Sequence, residues 1–79
     1  MPLTIEQKQF IETLDTEVKE LLEKDGFEKA LFLLLGDNLD EIGRIIDSTS
    51  HDEINAYCKQ YSGFHRLMAL IAYSSESCQ

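Results

Sequence analysis

A chain of 79 residues with 43% apolar side chains is sized for one domain and apolar enough to fold rather than stay disordered. Its 15 acidic residues outnumber 7 basic ones, for a net charge of −8. That balance disfavours direct contact with nucleic-acid phosphates or anionic membrane surfaces and favours a basic protein partner.

Thr4 followed by Gln7 has the spacing of a capping box, and Phe10, Ile11, Leu14, Val18, Leu21 and Leu22 keep helical periodicity behind it. The pattern predicts a first helix over about Ile5 to Lys24, amphipathic and coated with acid, ending at Asp25-Gly26. Phe27 to Leu35 is the most apolar stretch of the chain. None of Ala30, Leu31, Phe32, Leu33, Leu34 and Leu35 is β-branched, so the run reads as helix. A helix apolar on every side needs neighbours on every side, which predicts a central helix over 27–35 with Leu33 and Leu34 in the core. Asp25 and Glu28 supply its start signal and Gly36 its stop.

Asn38 with Glu41 repeats the start device ahead of Leu39, Ile42, Ile45 and Ile46, predicting a third helix that ends in Ser48-Thr49-Ser50. Ser50 with Glu53 opens a last segment in which Ile54, Tyr57, Cys58, Tyr61, Phe64, Met68 and Ile71 stay in phase through Ser62-Gly63. Continuous phase predicts one long helix, with a break at Ser62-Gly63 as the alternative, since glycine costs about 1 kcal/mol in a helix interior. From about residue 74 the composition turns polar and the tail is expected to fray. The sum is a single all-α domain over 1–79: a compact four-helix bundle, five helices if the last one breaks.

Two cysteines, Cys58 and Cys78, cannot build a disulfide framework, and no run approaches the roughly 18 apolar residues of a membrane span. Met1-Pro2-Leu3-Thr4 leads into a charged helix without an export signal, so a cytoplasmic location with reduced thiols is expected.

His51, Cys58 and His65 recur every seven residues, which on one straight helix leaves neighbours roughly 10 Å apart. Zinc ligands must converge within about 2.3 Å of one ion, so no metal and no other cofactor is expected. The same distance denies Cys58 a histidine base, and without a convergent acid, base and nucleophile the chain is read as non-enzymatic. Asp37, Asn38, Asp40 and Glu41 lack the alternation of a calcium loop and read instead as an acidic first turn. Asp37-Asn38-Leu39 is similar to the Asp-Ser-Leu motif on which acyl carrier proteins, themselves acidic four-helix domains, hang their prosthetic group. Asn38 offers no hydroxyl, and no room remains for that family's long first loop, so the likeness implies no carrier activity.

Function is therefore expected from surface and charge. Glu12, Asp15, Glu20 and Glu23 on the first helix, Asp40, Glu41 and Asp47 on the third, and Arg66 and Tyr73 near the end form the candidate partner-binding set. The expected role is a small acidic module that docks on a basic protein, nucleic-acid-binding proteins being one such class, and inhibits or regulates it. Two alternatives are a structural subunit that buries surplus apolar surface in a homodimer, and a small enzyme using Cys58 or His65.

Overall fold

The structure, a computed structural model, describes residues 3–77, with side chains through residue 72. Four helices follow in order among these residues: α1 (Ile5–Leu22), α2 (Phe27–Ser48), α3 (His51–Gln60) and α4 (Ser62–Ser77). The all-α four-helix bundle holds, but the chain is divided differently from the expected pattern. The predicted second and third helices are one, and the predicted last helix is two.

Helix α1 starts as its sequence dictates. Thr4 Oγ1 accepts from the Gln7 amide at 3.1 Å and Gln7 Oε1 accepts from the Thr4 amide at 3.0 Å, closing the capping box. It ends at Leu22, two residues earlier than expected, in a turn whose Glu23 and Lys24 amides bond back to the carbonyls of Glu20 and Leu21. Gly26 then enters the left-handed region at φ 71°, which it can do without a Cβ penalty, and serves as N-cap of α2 with no side-chain capping bond. Asp25 was the expected cap. The turn needs glycine more than the helix needs a carboxylate.

Helix α2 passes through Gly36 without interruption. Leu31, Leu35, Ile42 and Ile45 are its buried residues, and half-buried Asn38 falls on the same face. Spacings of four and three hold this face in phase across the glycine. Asn38 caps nothing; its Nδ2 donates to the Leu34 carbonyl at 2.9 Å inside the helix. With one face buried, the opposite face is open: Phe32 is 54% and Leu33 68% exposed. The expectation that 27–35 is enclosed on all sides is thus corrected. Three other helices cannot surround it, and α2 is an amphipathic outer helix whose exposed side carries Phe32, Leu33 and Leu39 among charged residues.

Ser50 caps α3, accepting from the Glu53 amide at 3.2 Å, and the helix stops at Tyr61 in extended backbone. Helix α4 then folds back, packing on both α1 and α3, while α1 also packs on α2. It carries helical backbone to Ser77, through the stretch from about 74 that its composition leaves to fray. Two apolar clusters result. Leu14, Val18, Leu31, Leu35, Ile42 and Leu67 form one, and Leu3, Ile11, Ile45 and Phe64 form the other, with Phe10 and Met68 touching both. None of the helices among the described residues is long and apolar enough to cross a membrane.

Candidate protein-binding surface

The acidic residues singled out from sequence divide sharply once placed. Glu20, Glu23, Asp40 and Asp47 are exposed, as is Glu12. Asp15 is not: it is 5% exposed, and its carboxylate is committed inside the molecule. Asp15 Oδ1 accepts from the Gly63 amide at 2.6 Å, and Oδ2 pairs with Lys19 Nζ at 2.9 Å. A carboxylate at the start of α4 satisfies one of the amides left open there and complements the helix dipole. Asp15 is therefore a structural cap and leaves the candidate binding set. Glu41 is half-buried and tied to Arg44 at 2.9 Å, so it too offers little to a partner. Arg66 is exposed on α4, and the Tyr73 side chain lies outside the described residues.

Glu12 has an unexpected partner. Tyr61 Oη donates to Glu12 Oε1 at 2.9 Å, linking the α3–α4 joint to α1, and Tyr57 stacks on Tyr61 with ring centres 6.3 Å apart. This bond to a carboxylate, helped by burial and by the surrounding negative charge, pushes the Tyr61 phenol above its ordinary value. A raised pKa in the folded state means stability that is fully present below the ordinary tyrosine range and lost as pH climbs through the folded value. Thermal melts followed from about pH 8 to pH 11 should therefore show an alkaline loss that is smaller in Tyr61→Phe than in the native chain. Equal losses in both would show that the bond contributes nothing.

The largest change from expectation lies at the joint between α1 and α2. A shallow groove of about 340 Å³ opens there, lined by Leu21, Ala30, Leu33 and Leu34 and rimmed by Glu17, Glu20, Asp37 and Lys24. Glu17, Glu20, Leu21 and Lys24 come from α1 and its closing turn, and Ala30, Leu33, Leu34 and Asp37 from successive turns of α2. Only Glu20 of this group was in the candidate set. Glu17 and Asp37 were legible as acids but not as neighbours, because their meeting depends on how two helices cross. The groove mixes four apolar side chains with three carboxylates and one ammonium. Such a surface suits a cation with a long aliphatic stem, which covers the leucines while its head meets a carboxylate.

The break before α4 also relocates the histidines. Cys58 and His65 line one groove with Asn55 and Lys59, and a wider one of about 440 Å³ joins them to His51, Ile46, Ile54 and Met68. On a continuous helix they would be strung out; the fold gathers them to one side. Among the described residues, no three His, Cys, Asp or Glu side chains come close enough to hold a metal ion. Burial pushes the Cys58 thiol up, the opposite direction to that of an activated nucleophile.

Compared with protein-family models, with curated proteins and with solved structures, the chain has no significant match.

Proposed function

We propose that this protein is a non-enzymatic binding module that docks on a basic protein segment through the α1–α2 groove and thereby blocks or regulates it. One observation carries the reading: Leu33, 68% exposed, lines a groove together with Glu17, Glu20 and Asp37. An apolar centre ringed by charge is the usual layout of a protein interface, with affinity supplied by the desolvated centre and rate by the rim. The net charge of −8 extends the attraction beyond the groove itself. Lys and Arg side chains that otherwise hold nucleic acid are the natural match. The segment presenting them would be a helix or extended strand whose Lys and Arg stems lie over Leu33 and Leu34 while their heads meet the carboxylates.

The two components separate kinetically. With the partner recovered on immobilised protein, Glu17→Lys combined with Glu20→Lys should slow association by about tenfold at low salt and flatten its dependence on ionic strength. Leu33→Ser should instead speed dissociation while leaving association nearly unchanged. Association rates unaffected by the double reversal would reduce the acidic rim to a solubilising coat and sink this assignment.

A further inference from the structure

Helix α2 carries a second exposed feature, next to the groove but on a different line. Phe32, Gly36, Leu39 and Gly43 succeed one another at spacings of four, three and four, which keeps them on one stripe. Phe32 is 54% and Leu39 49% exposed. Among the described residues nothing asks for the two glycines: a Cβ built on Gly36 or Gly43 meets no atom within 4 Å. Both have ordinary helical φ, because Gly26 alone among the described residues has positive φ. Glycine in a helix interior is unfavourable relative to alanine, so the monomer keeps two destabilising residues on its surface without any contact that requires them.

Reversing the helix supplies what the monomer lacks. Turned about the midpoint between Asp37 and Asn38, the sequence exchanges Phe32 with Gly43 and Leu39 with Gly36. Every large side chain of the stripe then meets a glycine, and every glycine meets a large side chain. Charge follows the same symmetry. Lys29 and Asp47 flank the stripe on the same side, and reversal brings each to within one residue, about 1.5 Å of rise, of the other.

We propose that the α2 stripe is a homodimer interface, in which α2 packs antiparallel on α2 of a second copy of this chain. A two-fold interface must be complementary to itself, and this stripe is so in both shape and charge. Phe32 seats over the partner copy's glycine, Leu39 over its other glycine, and the Lys29 and Asp47 pairs close the two ends. Asp40 borders the middle of the stripe on the same side as Lys29 and Asp47, and each copy brings a charge of −8, so like-charge repulsion opposes association. Screening weakens that repulsion while the apolar contact persists, so this dimer tightens with salt. The docking proposed above loosens with salt and uses Glu17, Glu20, Asp37 and Leu33. The two assignments therefore stand or fall separately.

Sedimentation equilibrium of the full chain is the test. The native protein should show a monomer–dimer equilibrium that strengthens as salt is raised. Phe32→Ser combined with Leu39→Ser should leave monomers that retain full helical content and a cooperative melt. Gly36→Ala combined with Gly43→Ala should raise the dimer dissociation constant by at least about tenfold, although alanine is the better helix former. A loss of helix cannot explain that outcome. Lys29→Glu and Asp47→Lys should each weaken the dimer, and their combination, which keeps the net charge at −8, should recover it. A native chain that stays monomeric at high concentration and high salt overturns the proposal and leaves the stripe to some other protein. So does a glycine double variant that dimerises as tightly as the native chain, or a charge swap that recovers nothing.

Discussion

Gly63→Ala is expected to destabilise the fold by about 3 kcal/mol, although the same change in an open helix is favourable. A Cβ on Gly63 would stand 2.6 Å from the Asp15 backbone oxygen and 2.7 Å from Asp15 Oδ1. The carboxylate can rotate away, but only by giving up its bond to the Gly63 amide. The backbone oxygen cannot rotate at all, so α4 must lift off α1. That separation loosens the contact on which Leu14, Val18 and Leu67 depend. For a domain whose net stability is about 3 to 5 kcal/mol, the variant should keep no more than about 2 kcal/mol and melt at a much lower temperature than the native chain. Asp15→Ala should cost about 2 kcal/mol by leaving a buried amide unpaired. Combining it with Gly63→Ala should not restore stability, since the backbone clash remains. Melting curves of the three variants decide the matter: a Gly63→Ala protein as stable as the native chain would mean that α1 and α4 are not so close.

The contrast between Gly63 and Gly36 marks where the sequence can be read and where it cannot. Both glycines interrupt a segment whose apolar residues stay in phase on either side, and spacing alone treats them alike. The chain breaks at Tyr61, and α4 restarts with Gly63 in its first turn, where Asp15, far away in sequence, caps the Gly63 amide; α2 runs through Gly36 unbroken. Helical character, the Thr4 and Ser50 caps and the turn at Gly26 are local and were legible. Asn38 with Glu41 imitated a cap, and the continuous face from Leu31 to Ile45 outvoted it. The fate of Asp15 was illegible for the same reason as the groove. Whether an acid on α1 is buried, as Asp15 is, or lines a groove, as Glu17 and Glu20 do, depends on which helix lies beside it.

The apolar run itself supplies the other large effect. Leu31→Asp should abolish cooperative folding, whereas Leu33→Asp, two positions on, should leave a folded chain within about 1 kcal/mol of the native one. Leu31 is 4% exposed and packs among Leu14, Val18 and Leu67. A carboxylate there must either ionise away from water or take up a proton, and either costs several kcal/mol, comparable with the stability of the whole domain. Leu33 is 68% exposed, so an aspartate at that position stays hydrated. Its only penalty is mild repulsion from Glu17, Glu20 and Asp37, which salt screens. Reading the stretch as a helix buried on all sides would make both substitutions equally damaging. Circular dichroism separates the cases. If Leu33→Asp unfolds as completely as Leu31→Asp, α2 is enclosed after all, and the groove assigned to partner binding is part of the core.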